Sequence, residues 1–311
     1  MKKLLLGLLG LFFLLGLVGF IGPALFPGPA LRISVQIERG LAGVEPHEIT
    51  VGPYTMPYLE GGPKDGPTLL LVHGFGGDKD NWTRFSKTLT PRFHVVAPDL
   101  PGFGQSTSTA TASYDISSQV DRLHDFAQAL KLGPVHIAGN SMGGHIAAVY
   151  AVRYADEVRS LTLYDNAGLD SPKKSELWKR IAKGENPLIV STAEDFDKLF
   201  DFIFAEPPFV PPPVKSYLAR MAVAHHDGFN TAWKDIFAKP MPLEPLLGGL
   251  RAPTLVVWGD EDRLIDVSTT EVLKRLVPSA KVVILPHCGH VPMVERPEES
   301  ARLMAELVLG G

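Results

Sequence analysis

The chain has one cysteine, Cys288, in 311 residues. No internal disulfide can form, so a small secreted fold held by disulfides is excluded. It has no long basic or acidic run, and its formal charge is only −4. A nucleic-acid partner would need a concentrated basic face, and the sequence offers none. Internal repeats and low-complexity tails are also missing. Charged residues make up 21% and hydrophobic residues 45%, which leaves enough apolar side chains for a sizeable core. The length suits one large domain, or a domain carrying an insertion.

Charge is absent altogether from Leu4 to Phe26. As a helix this run would be about 34 Å long, against a hydrocarbon core of about 30 Å. Residues 1–30 are therefore expected to form an N-terminal transmembrane anchor, with 31–45 as a juxtamembrane segment. A cleaved signal peptide is the rival reading, but its apolar region runs to about 7–15 residues. Acylation as a lipoprotein is excluded because no cysteine stands nearby. Lys2 and Lys3 precede the run and stay cytoplasmic by the positive-inside tendency. The rest of the chain is then expected on the opposite side, the periplasm if the membrane is a bacterial inner membrane. Gly7, Gly10, Gly16, Gly19 and Gly22 line the run with small residues, so a homodimer through this segment can form. No strict Gly-x-x-x-Gly pair is present. Prolines in "PALFPGPA" end the helix, and "LRISVQIERGLAG" can lie as a helix at the membrane surface.

Beyond residue 46 the runs "HEITV" and "TMPYLEGG" suggest a hairpin. Apolar, β-branched-rich runs then recur at 68–73, 93–99, 135–139, 160–165, 254–259 and 281–286. Continuous runs of this kind suit strands buried on both faces of a parallel sheet. Helical spacing separates them, as in Ile116, Val120, Leu123, Ala127 and Leu130, in "HIAAVYAVRYA" and in "STTEVLKRLV". The alternation indicates an α/β fold with a core of residues 46–167 and 251–311. It breaks between about Gly168 and Leu250, where short amphipathic pieces and a proline cluster predict a helical insertion.

"GNSMGG" places Ser141 where a strand gives way to a helix. Gly139 and Gly143 remove side chains that would obstruct a strained turn lifting the hydroxyl out of the backbone. The helix that follows points its positive dipole end at the same place. A serine hydroxyl is a weak nucleophile and needs a base, itself oriented by an acid. In an α/β fold the ligand face is at the carboxyl ends of the strands. The expected base is His290 in "PHCGHVP" after the last strand, with His287, His124, His225 and His226 as alternatives. The expected acid is Asp262 in "GDEDRLID", with Asp260, Asp266 and, more rarely, Asp165 as rivals. "HGFGG" at His73–Gly77 follows another strand. With the residue after the serine it is expected to supply an oxyanion hole from the backbone amides of Phe75 and Met142. Cys288 is expected to be a packing residue.

Together "HGFGG", "PDLPGFGQS", "GNSMGG", "WGDEDRLID" and "GHVPMVERPEE" stand in the order seen in the α/β-hydrolase family. The resemblance covers about Pro46 to Gly311. With the N-terminal anchor and the insertion, the chain is similar to bacterial family V lipases, membrane-anchored phospholipase A among them, and to monoacylglycerol lipases. The resemblance implies an α/β-hydrolase fold, a triad of Ser141, Asp262 and His290, and a lid at 168–250. It also implies acyl-ester hydrolysis with no metal or cofactor. A serine at the turn separates the chain from the dehalogenase and epoxide hydrolase branches, which use aspartate there.

The acyl chain needs an apolar groove, for which the insertion offers Leu199, Phe200, Phe202, Ile203, Phe204 and Phe209. Each of them could equally pack the insertion onto the core. An enzyme tethered at a bilayer meets lipid esters first, so a lipase or phospholipase A is the leading expectation. The alternatives are a carbon–carbon bond hydrolase of ring-fission products, a general short-chain carboxylesterase, and a non-catalytic binding protein on the same scaffold.

Overall fold

The structure, a computed structural model, describes residues 24–109 and 111–310. The anchor segment expected over residues 1–30, with Lys2, Lys3 and the glycines of the expected dimer contact, lies outside the described residues up to residue 23. Among the described residues no helix is long and apolar enough to cross a membrane.

In chain order the elements are α1 (Pro27–Ala42), β1 (Val44–Val51), β2 (Tyr54–Gly61), β3 (Thr68–Val72), α2 (Thr83–Leu89), β4 (His94–Pro98), α3 (Ile116–Ala129), β5 (Val135–Asn140), α4 (Met142–Arg153) and β6 (Val158–Tyr164). The helices α5 (Glu176–Ile181), α6 (Ala193–Ile203), α7 (Pro212–Ala224) and α8 (His226–Ala238) follow. The chain closes with β7 (Thr254–Gly259), α9 (Thr269–Leu276), β8 (Lys281–Leu285), α10 (Pro292–Glu295) and α11 (Pro297–Gly310).

The strands form one sheet in the order β1-β2-β4-β3-β5-β6-β7-β8. β1 and β2 make the antiparallel hairpin, with Val51 opposite Tyr54, and β2 runs antiparallel to β4. From β4 to β8 every pair is parallel. Successive side chains of a strand point to opposite faces, and this period divides the core into two layers. Leu70 and Val72 of β3 pack with Ile116, Val120 and Leu123 of α3 and with Ile146 and Tyr150 of α4. Leu69 and Leu71 pack the other way, against Phe85 and Leu89 of α2 and Met304 and Val308 of α11. β8 departs from the expectation of burial on both faces. It is an edge strand, and Ile284 is half exposed there.

Between β6 and β7 the described chain is helical or irregular, with no strand. Its helices start at recognisable caps: Ser175 accepts from the Trp178 amide, and Thr192 and Asp195 form a reciprocal capping box. α1 spans the sequence read as anchor end and juxtamembrane segment, and begins at the very prolines expected to stop a helix. Proline is tolerated in the first turn, where its missing N–H would have had no partner. Ile33, Ile37 and Leu41 of α1 are exposed at a spacing of four, on one face of the helix.

Candidate active site

Ser141 joins β5 to α4 at φ 56°, ψ −121°. A non-glycine residue at such angles carries strain of about 1–3 kcal/mol, so its surroundings must hold it there. They do so through three backbone bonds. The Ser141 N–H donates to the Tyr164 carbonyl at 3.0 Å, and the Ser141 carbonyl accepts from His145 and Ala167, both at 3.0 Å. The glycines are steric necessities. A Cβ on Gly139 would run into the Gly143 backbone, and one on Gly143 into the Val72 and His73 carbonyls.

The loops after β7 and β8 bring Asp262 and His290 together. His290 Nδ1 lies 2.8 Å from Asp262 Oδ2. The other carboxylate oxygen of Asp262 accepts from the amides of Leu264 and Ile265, at 2.7 and 3.0 Å. Both side chains are buried. Asn140, next to the serine, donates from its side-chain amide to the His290 carbonyl at 2.9 Å, tying the histidine loop to the end of β5. His290 and Ser141 line the same cavity.

The rival residues fall elsewhere. His287 is exposed and faces Glu261. His124 stacks on Tyr154, and His225 and His226 are surface residues of the helical segment. Asp260 is exposed, and Asp266 accepts from the Ser268 amide at the start of α9. Asp165 is different. It is buried, and one ligand atom from each of Asp165, Asp262 and His290 lies within 4.8 Å of the others. Metal binding is not what this group is built for, since Asp262 already has three donors and one of them is the imidazole. Burial, with the Asp262 charge beside it, holds the Asp165 carboxyl well above the usual carboxylate range.

Phe75 and Met142 line a cavity with Ser141, and neither backbone amide donates to a protein acceptor among the described residues. Met142 opens α4, where the first amides have no helical partner. The Phe75 loop is shaped by His73, whose Nε2 accepts from the Leu100 amide at 3.0 Å and whose Nδ1 therefore donates to the Gly74 carbonyl at 2.8 Å. Burial lowers the His73 pKa and keeps the ring neutral, as this pattern requires. Behind it the buried pair Lys79–Asp99, 2.8 Å apart, joins the loops after β3 and β4. "PDLPGFGQS" thus acts as a brace for the oxyanion loop.

A cavity of about 250 Å³ opens on Ser141 and His290, walled largely by apolar side chains. Leu199, Phe200, Ile203 and Phe204 line it. Phe202 and Phe209, also expected in the groove, do not. Phe202 turns inward onto Leu177 and Leu264, with Arg180 and Arg263 over its ring, and Phe209 points into solvent. The helical period explains this, since Phe202 lies on the opposite side of α6 from Phe200. A second cavity, about 120 Å³, also borders Ser141 and is lined by Trp178, Trp233 and Phe237. Sequence reasoning missed these residues. Their only signal was an apolar stripe, which packing alone would also produce.

One joint links the helical segment to the histidine loop. Glu295 Oε1 accepts from the Gly289 amide, and Oε2 accepts from Ala205 and Glu206, just past α6. The His290 N–H donates to the Ile203 carbonyl at 2.9 Å, and Arg263 donates to the Asp201 and Phe204 carbonyls.

Comparison with known proteins shows what the chain is similar to. The profile described as the alpha/beta hydrolase family matches residues 69–303. Lipase 3 of Moraxella sp. (strain TA144) is 36% identical over 95% of this chain and 95% of its own. Monoacylglycerol lipase ABHD6 of Mus musculus is 31% identical over 91% of this chain and 88% of its own. Among solved structures, a membrane phospholipase A described as a bacterial virulence factor superposes with a TM-score of 0.90. It is 48% identical and covers 100% of this chain and 99% of its own.

Proposed function

We infer the function from what the chain is: it belongs to the alpha/beta hydrolase family and is a carboxylic-ester hydrolase similar to lipases and phospholipases. From that premise we propose that it is a membrane-anchored enzyme cleaving acyl esters of membrane-derived glycerolipids through an acyl-enzyme on Ser141. In this reading His290 takes the Ser141 proton as the oxygen attacks the ester carbonyl. Asp262 holds Nδ1–H and so presents Nε2 to the serine. The oxyanion of the tetrahedral intermediate is met by the Phe75 and Met142 amides; each such donor is worth about 10²–10³ in rate. His290 then protonates the departing alcohol, and water, activated by the same imidazole, releases the fatty acid.

The observation that carries this reading is the convergence of two apolar cavities on Ser141, beside the His290–Asp262 pair. An ester of a long chain has two apolar ends, and a nucleophile that borders two apolar cavities can hold both. No lysine or arginine lines either cavity. A carbon–carbon hydrolase of ring-fission products must bind carboxylates, so this lining disfavours that alternative. The helical segment α5–α8 supplies the outer walls and serves as the lid. Membrane attachment is supported by the uncharged run before residue 27 and by the exposed row Ile33, Ile37 and Leu41 that continues it along α1. The catalytic domain then lies on the side away from Lys2 and Lys3, the periplasmic side in a bacterium.

The test is fatty-acid release by the detergent-solubilised full chain from phospholipids, lysophospholipids, monoacylglycerols and short-chain esters in parallel. Ser141→Ala is expected to lower turnover by about 10⁴ or more with an unchanged melting temperature. Activity retained in that variant would remove Ser141 from the mechanism. Release from short esters alone would make the enzyme a general carboxylesterase.

A further inference from the structure

Asp165 follows β6 as Asp262 follows β7, and the two carboxyls meet at His290. Their surroundings differ. Asp262 is furnished as an anion, with two amides and an imidazole directed at its oxygens. Asp165 has one donor, the Gly259 amide at 3.0 Å on Oδ1, and its Oδ2 is buried without a protein donor. Two buried carboxylates this close cannot both be ionised, and the better-solvated one keeps the charge. Asp165 is therefore the carboxyl that holds the proton. Its backbone is stiffly placed, with φ 44° and its N–H bonded to the Val257 carbonyl at 3.1 Å. That backbone is left-handed, the Asp165 proton has the Asp262 carboxylate beside it as acceptor, and the mechanism above makes no use of this buried acid.

We propose that Asp165 is a reserve acid of the site, a positioning residue that takes over the orientation of His290 when Asp262 cannot. The proposal rests on the triad reading given above. Burial keeps Asp165 protonated and the Asp262 charge adds to it; replacing Asp262 by a neutral amide of the same shape removes that added repulsion and lets Asp165 ionise at lower pH. The other titratable groups around it are His290 and Cys288 on the loop after β8 and Glu295 in α10. Once ionised, the Asp165 carboxylate already lies within 4.8 Å of the imidazole.

The test is a double-mutant cycle on Asp262→Asn and Asp165→Asn in the full chain, with para-nitrophenyl butyrate as the probe and melting temperature followed throughout. Amide replacement of a triad acid without a reserve costs about 10⁴ in kcat. Asp262→Asn is expected to lose only about 10². Its residual activity should climb with pH as Asp165 ionises. Adding Asp165→Asn should remove that rising limb and lower kcat a further tenfold or more, whereas Asp165→Asn alone should cost less than tenfold. The pair Asp262→Ala and Asp262→Ala/Asp165→Asn repeats the measurement should the asparagine distort the loop. If the single Asp262 variant already equals the double in rate and pH profile, the reserve role is overturned. If Asp262→Asn has no effect at all, it is the triad reading that fails.

Discussion

α4 and α6 both face Ser141, yet they are built on opposite terms. In α4 every residue from Met142 to Ala151 is buried, and its first turn is wedged against the β3 and β5 backbones. In α6 Phe202 is the one buried residue, and the aromatic face towards the cavity is only partly covered. The first region is dense and intolerant because it holds a nucleophile in a strained backbone. The second is loosely packed and greasy because it has only to receive an acyl chain. Reactivity and substrate choice therefore sit in regions that mutation can separate.

The sharpest way to break that comparison is Gly143→Ala. The new Cβ meets the Val72 and His73 backbone carbonyls and has no flexible neighbour to displace. A loss of about 3 kcal/mol or more is expected, read as a large fall in melting temperature and in soluble active enzyme. A variant with wild-type stability would show that the end of the sheet yields as readily as α6. Phe200→Ala probes the other side. It should leave the melting temperature within a few degrees while changing the kcat/KM ratio between long and short acyl esters by about tenfold. Equal effects on all chain lengths would mean that Phe200 packs the segment and does not select substrate.

The smallest effect concerns His145, one turn into α4, which donates from Nε2 to the Met241 carbonyl of the insertion. Burial lowers its pKa to about 4 from the ordinary 6.5. The unfolded chain then takes up this proton more readily than the folded one. The stability that the neutral ring contributes is complete above pH 6.5 and is lost as pH falls through about 4. His145→Gln keeps a donor for Met241 and removes the titration. Its melting temperature should fall less steeply than that of the wild type between pH 6.5 and 4, and parallel curves would refute the assignment.

The parallel strands were legible because burial on both faces forces continuous apolar runs, and the serine turn because only glycine clears the Val72 and Gly143 backbones. His290 and Asp262 could be read from their position after the last two strands. The difference between Phe200 and Phe202 could not, since the sequence gives an amphipathic helix but not the rotation at which it docks. Asp165 was visible only as an aspartate at a strand end. Its lone buried oxygen depends on which loop amides turn towards Asp262 instead, a matter decided by residues far apart in the chain.

The joint at Glu295 has a mechanical meaning. Through Glu295 and the Ile203 carbonyl, the end of α6 and the backbone of His290 form a single linkage. Any tilt of the wall that meets the acyl chain is geared to the base that must take the serine proton. A chain that fits the wall poorly would thus set the imidazole out of line and slow the chemistry rather than merely weaken binding.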